Sequence, residues 1–305
     1  MGVLGNNALV GASAAGAGGA GGEFYSHQIT NSCRFLLANS SYMYRTPSVA
    51  GNRRTWTFST WIKRTKFAIN TSFFGATRSG YENVFRFDDS DNVERLNTFG
   101  FTGASTDFNV KTTASYRDPS AWFHVILRID TSQSTQFDRI RVYVNGQQLG
   151  VDEAWRNQAM ITNTAQDESF SYLNADGLVQ AFGGLSGKGH GTEGADLSIA
   201  DCMFFDGQSY YSELGEYKNG VWIPKDPSSL TFGNNGYWLK FTNSSNLGED
   251  FSGNDNDFTV ANFASHDQLL DSPTFGSSSS GNFATGNPLN NPNSSSFAEG
   301  NTQLT

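Results

Sequence analysis

Charge is scarce in this 305-residue chain. Charged residues make up 16%, and the basic ones are the fewer, with 20 Lys plus Arg against 29 Asp plus Glu for a formal net charge of -9. No basic run exceeds Arg53-Arg54. Binding to nucleic acid draws on phosphate neutralisation and counterion release, for which this sequence offers no basic run, so nucleic acid is not expected as a direct partner. Cysteine is rarer still. Cys33 and Cys202 lie far apart without the paired spacing of metal ligands, and they are expected as buried free thiols, not a disulfide or a redox pair. No window approaches the roughly 18 consecutive apolar residues that a membrane-spanning helix needs. The first apolar stretch is Gly/Ala-rich and follows no Lys or Arg, so no secretory leader is expected.

Catalytic signatures are equally thin. His27, His124, His190 and His266 are scattered, and no Gly-x-Ser-x-Gly elbow accompanies them, which leaves acyl transfer without support. The run Gly183 to Gly191 contains Lys188 but lacks the Gly-Lys-Ser/Thr ending of a phosphate loop, so a flexible loop is expected there.

Aromatic residues and glycine are plentiful: 14% Phe, Tyr and Trp, with 25 Phe and 33 Gly. Flat and β-branched side chains pack well on a pleated surface, which favours strands. From about residue 24 to 245 the chain reads as short alternating runs broken by turn residues, the pattern of an antiparallel sandwich. In Trp56 to Ile62 one face is Trp56, Phe58, Thr60 and Ile62. Trp61 falls on the other face, which predicts either a second packed layer or an exposed ring. Phe123, Val125, Leu127 and Ile129 make the apolar face of a half-buried strand. Ile140 to Val144 is followed by Asn145-Gly146, which supplies the two positive-φ residues of a type I′ hairpin turn. Leu197 to Phe205 and Tyr237 to Phe241 read as further strands, with shorter ones at Phe73, Val84 and Phe99. Ser212 to Tyr217 reads as one capped helical turn with Ser212 as N-cap. Residues 1–23 form a Gly/Ala-rich arm in which Val3, Leu4, Leu9 and Val10 could be buried against a neighbouring subunit. Residues 246–305 are rich in Asn, Ser and Gly and read as a polar extended tail or linker.

The block Tyr44 to Arg64, containing Gly51-Asn52-Arg53-Arg54-Thr55-Trp56-Thr57-Phe58, resembles the opening of a family of bacteriophage virion proteins with a LamG-like domain. The likeness continues through Ala121 to His124, the Asn145-Gly146 hairpin, Phe205-Asp206-Gly207, Gly220 to Lys225, Leu247 to Phe258 and Asp271 to Thr274, covering roughly residues 28 to 290. It implies an all-β fold, a two-sheet antiparallel jelly-roll sandwich of the concanavalin A-like kind. It also implies a place in the virion, in a tail fibre, appendage or capsid decoration, with other virion proteins as partners and a homo-oligomeric assembly. Glucan-cleaving members of the wider superfamily use a Glu-x-Asp-x-x-Glu strand, which is absent. The pairs Asp89/Asp91 and Asp255/Asp257 sit in polar turns. No catalytic residue is therefore assigned and the chain is expected not to be an enzyme, a polysaccharide depolymerase being the outlying alternative.

Two kinds of ligand remain. LamG-like relatives often bind calcium at a sandwich rim, and Asp88, Asp89, Asp91 and Asn92, or Asp250, Asn254, Asp255 and Asp257, have the oxygen ligands. Such turns also arise for conformational reasons alone, and no metal residue is assigned. A host-surface glycan would need aromatic platforms beside polar partners, and Trp155, Tyr210, Tyr211 and Trp222 are the candidates. The competing expectation is that these rings fill the core or a subunit interface.

Overall fold

A computed structural model describes residues 24–78, 81–89, 92–101, 106–149, 165–184, 194–275, 281–282, 297–298 and 303–304. The strands are β1 (Ser32–Phe35), β2 (Tyr42–Arg45), β3 (Thr55–Arg64), β4 (Thr71–Arg78), β5 (Tyr81–Asp88), β6 (Arg95–Phe101) and β7 (Thr106–Ser115). They continue with β8 (Phe123–Asp130), β9 (Ile140–Val144), β10 (Gln147–Gln148), β11 (Val179–Phe182), β12 (Leu197–Asp206), β13 (Gly215–Lys218), β14 (Val221–Pro224) and β15 (Tyr237–Leu239). The last are β16 (Thr259–Ala261), β17 (Gln268–Leu269), β18 (Phe297–Ala298) and β19 (Gln303–Leu304). One sheet runs β10-β9-β8-β3-β12-β1-β17 with β15 also on β12; the other runs β16-β2-β11-β4-β5-β6-β7. Every pairing of named strands is antiparallel.

The two sheets close on an aromatic core. Phe58 of β3 stacks on Phe74 of β4 at 4.7 Å, and Phe74 on Phe182 of β11 at 4.7 Å. Trp56 lies over Phe204 of β12 at 5.5 Å. Each such side chain, fully withdrawn from water, contributes about 1.5 to 3 kcal/mol. Strand β3 carries Trp56, Phe58 and Ile62 into this core and Trp61 into a second one on the opposite face, so of the two expectations for Trp61 the packed layer is the outcome.

The second layer depends on a register change. Leu197 and Ile199 face the main core, but from Cys202 onward it is the even positions Cys202 and Phe204 that face it, while Met203 and Phe205 face outward. The pairing with β3 shifts between Ala200 and Met203. Asp201, in the left-handed region at φ 48, lies in that irregularity. One extra residue in a strand reverses which parity points inward. Without it, Cys202 and Phe204 would turn outward and Met203 and Phe205 would lie inside.

The Asn145-Gly146 turn is as expected, with φ of 48 and 75 and β10 pairing back on β9. Two expectations need correction. Only residues 211–214 form a turn, closed by Leu214 N–H to the Tyr211 carbonyl at 3.1 Å. Gly215 to Lys218 is instead strand β13, paired residue for residue with β14 across a tight Asn219-Gly220 turn, because hairpin pairing supplies four residues with partners where an isolated helical turn is marginal. The sandwich also continues beyond residue 245. β16 adds to the edge of one sheet and β17 to the other, so residues up to Asn282 include parts of the folded body. Their backbone groups pair with an existing edge, which needs no alternating side-chain pattern.

Candidate functional site

The outward face of the eight-stranded sheet carries the second apolar layer: Trp61, Ile126, Tyr143, Met203, Phe205 and Trp238 from the sheet, with Trp122, Leu214, Trp222 and Phe232 laid over them. The β13–β14 hairpin places Trp222 here. A Cβ on Gly146 would come within 2.2 Å of the Trp222 ring, and one on Gly215 within 2.3 Å. Two glycines from different hairpins thus make the slot that the indole fills.

Trp222 is only 6% exposed. Its indole N–H donates to Nδ1 of His124 at 2.9 Å, and the other ring nitrogen, Nε2, lies 2.8 Å from Oγ of Ser59. An indole has only a donor to offer, so Nδ1 is the acceptor and Nε2 bears the hydrogen of the neutral ring. Burial pushes the His124 imidazole down to about 3, opposed only by the distant pull of Asp201. A proton on Nε2 points at Ser59, so His124 has no lone pair there to accept the hydroxyl proton. This Ser–His contact is structural and is not a nucleophile with its base.

The rings form a column. Trp61 stacks on His124 at 4.8 Å, His124 on Trp222 at 6.2 Å, Trp222 on Tyr211 at 6.0 Å and Tyr211 on Tyr143 at 4.1 Å. The Tyr211 hydroxyl donates to the Gly146 carbonyl, and that of Tyr217 to the Asn145 carbonyl at 2.8 Å. Two tyrosines therefore clasp the β9–β10 turn. Tyr210 is half-buried edge-on to Phe205 at 5.1 Å, and its hydroxyl oxygen accepts the Thr231 N–H at 3.4 Å.

Of the rings named from the sequence, Tyr211 and Trp222 stack on each other and Tyr210 packs on Phe205 in the same layer, and Trp222 is a buried slot-filler and no open platform. Tyr210 and Tyr211 keep partial exposure, and Tyr217, which the sequence did not single out, is the most open aromatic of the group at 51%. Trp155 and the arm residues Val3, Leu4, Leu9 and Val10 lie outside the described residues.

Both acidic turns are bonded to protein groups. Asp250 accepts N–H groups of Trp238 and Ser252 on one oxygen and of Asn256 and the Ser252 hydroxyl on the other, all at 2.8 to 2.9 Å. Asp257 accepts the Asp250 N–H at 2.8 Å, while Asn254 donates to the Gly233 carbonyl at 2.7 Å. Asp88 is held by Lys111 at 2.7 Å, the Asp89 N–H donates to Asn70, and Asp91 lies outside the described residues. Among the described residues no group of three or more His, Cys, Asp or Glu is placed to hold a metal ion. Both cysteines are buried free thiols, as expected, with burial pushing them well up.

At the sheet end marked by Asp206, a polar knot joins the loops. Asp206 Oδ1 accepts the Asn52 N–H and the Asn174 amide, each at 2.7 Å, and Oδ2 accepts the Asn235 N–H at 3.1 Å. Asn235 donates to Asn174 and to the Val49 carbonyl, both at 2.9 Å, and Arg45 donates to the Asn235 carbonyl at 2.9 Å. With each carboxylate oxygen already accepting N–H donors, the knot fixes loops and offers no vacant ligand set.

Two sheets, their order and the inward aromatic faces can be compared with known proteins. Residues 37–185 match the family model of the concanavalin A-like lectin/glucanases superfamily, of laminin G type. The fold is concanavalin A-like. A candidate carbohydrate-binding protein from Bacteroides ovatus has a similar structure, with a TM-score of 0.50 at 18% identity over 77% of this chain and 60% of that one. A heptameric SAP-like pentraxin from Limulus polyphemus matches with a TM-score of 0.40 at 15% identity, over 59% of this chain and 77% of the pentraxin. No curated protein matches the chain in sequence.

Proposed function

We propose that this concanavalin A-like chain is a structural protein of a bacteriophage particle, in a tail fibre, appendage or capsid decoration, that joins its neighbours through residues 1–23 and presents the sandwich without catalysing a reaction. One observation carries this reading. The segments that lead to residues 1–23 and away toward 283–305 lie side by side: the Ile29 N–H donates to the Thr274 hydroxyl at 2.8 Å, and that hydroxyl donates back to the Ile29 carbonyl at 3.0 Å. Nearby, the Tyr25 side chain meets the Phe275 backbone. Both flanking stretches are thus rooted on one side of the sandwich, an arrangement suited to anchoring there and displaying the rest. The resemblance of Tyr44 to Arg64 to LamG-like virion proteins supports the same place. Homo-oligomerisation follows as part of the proposal and is measurable by sedimentation of the full chain.

Deleting residues 1–22 is expected to leave a soluble, folded sandwich that no longer enters the particle. Normal incorporation of the truncated protein would overturn the arm's role.

A second reading, binding of a host-surface glycan, is favoured by Tyr217, half-exposed beside Tyr211 with Glu216 and Lys218 as its neighbours on β13. The candidate carbohydrate-binding protein from Bacteroides ovatus has a similar fold, and fold alone names no ligand. Under it, Tyr217→Ala reduces adsorption to host cells with incorporation unchanged. Equal adsorption would leave the assembly reading alone.

A further inference from the structure

The lead-in to the arm, residues 24–29, crosses the outer layer, and one of its contacts is electrostatically unfinished. Asp201 is 2% exposed, in the left-handed region at φ 48. Its Oδ1 accepts the Trp238 indole N–H at 2.5 Å. Its Oδ2 is buried with no hydrogen-bond partner apart from His27, whose Nε2 stands 3.3 Å from it, within ion-pair reach. A buried carboxylate oxygen left in this state favours a positive charge beside it. The His27 side chain is 11% exposed, so it has contact with solvent.

We propose that His27 and Asp201 form a pH-operated latch, which holds residues 24–29 on the outer layer while His27 carries its proton and loosens them when the proton leaves. The other charged groups acting on His27 are Asp226, which follows β14, and Lys240, which follows β15. Burial acts against the imidazolium, but the Asp201 carboxylate, aided by Asp226, outweighs both burial and Lys240, and His27 holds its proton above the ordinary 6.5. The sign follows: the latch is fully engaged below about pH 6.5 and is lost as pH rises through the raised value. The segment's other contacts do not involve His27: the Phe24 ring lies under Lys218 at 5.5 Å, and Ser26 reaches the Pro224 carbonyl at 3.4 Å. Ser26 also donates to Glu216 at 3.3 Å, and the Ile29–Thr274 bonds carry no charge.

The latch deepens the assembly reading, since it sets how freely the arm's root moves, yet it is tested without particles. In the full chain, the His27 imidazole is titrated by NMR, and hydrogen exchange of residues 24–29 is followed from roughly pH 5.5 to 8.5 with intrinsic rates divided out. The expected midpoint lies above 6.5, with protection falling at least about threefold as His27 deprotonates. His27→Gln is expected to exchange at the open level at every pH. Asp201→Asn, which keeps an acceptor for Trp238, is expected to lower the midpoint below 6.5. A wild-type midpoint at or below 6.5, or the same exchange profile in His27→Gln, overturns the latch, whether or not Asp201→Asn folds. Neither result touches the arm-deletion experiment, so the two ideas fail separately.

Discussion

Trp222 donates its indole N–H to His124 at 2.9 Å, and through that one bond a surface hairpin sets the tautomer of a histidine buried in the sheet. Replacing Trp222 by Phe keeps most of the ring and removes the donor. The expected cost is about 1 to 3 kcal/mol, the range for stranding one buried polar partner, read from urea unfolding. A change under about 0.3 kcal/mol would mean that the hairpin contributes packing alone.

The acid limb of stability should carry the signature of His124. Its folded value is depressed to about 3, so below the ordinary 6.5 the unfolded chain takes up a proton that the folded chain refuses, and stability falls as pH drops between those values. The slope approaches roughly 1.4 kcal/mol per pH unit. His27, whose folded value is raised, holds its proton in folded and unfolded chains alike below about 6.5 and adds no slope there, and a His27→Gln background removes its contribution above that pH. His124→Gln should flatten the limb there, and an unchanged slope would place the effect on other groups.

Gly146 and Gly215 are predicted to be unequal to other glycines. Alanine at either drives a Cβ to within 2.2 to 2.3 Å of the Trp222 ring, and Gly146 also has φ of 75. Thermal unfolding should register losses above about 2 kcal/mol for each. Gly220→Ala is the control, since φ is 81 but nothing lies within 4 Å of the new Cβ. It should cost only the backbone term, about 1 to 2 kcal/mol.

Arg64 and Glu94 form an ion pair at 2.5 Å in which both side chains are fully buried, with Arg64 also over the Phe87 ring at 4.3 Å. Glu94→Ala leaves an arginine with no carboxylate in an apolar setting and should cost about 3 to 5 kcal/mol. Arg64→Met combined with Glu94→Leu should recover most of that loss in the same denaturation assay. If the double variant is no better than the single one, the pair is needed for local geometry as well as charge.

Much of the sandwich was legible because its signals are local. Asn145-Gly146 carries its own turn geometry, and the Trp56 to Ile62 alternation places one face in a core before any partner strand is known. Trp61 was legible only as a choice, because a second layer depends on residues such as Trp222 that come from far along the chain. β16 and β17 were not legible, since a short strand in polar sequence is defined by the edge it joins. Asp201 was equally hidden: within Leu197 to Phe205 nothing local says which residue is the extra one, and its role appears only when His27 and Trp238 are brought to it. Among the site candidates, the sequence could group aromatic residues by their exposure-prone loops, but it could not tell a filled slot from an open platform.

The pairing of β1 with β17 joins Ser32 to Leu269 in antiparallel sense, and the two segments leave that pair from the same end, toward Ile29 and Thr274. Tension applied between the two flanking stretches would therefore load these bonds one after another, as a zipper is opened, not in parallel as in shear. Under a pull the sandwich would peel at this edge while the β3–β12 centre stays closed, which makes the edge a mechanical fuse.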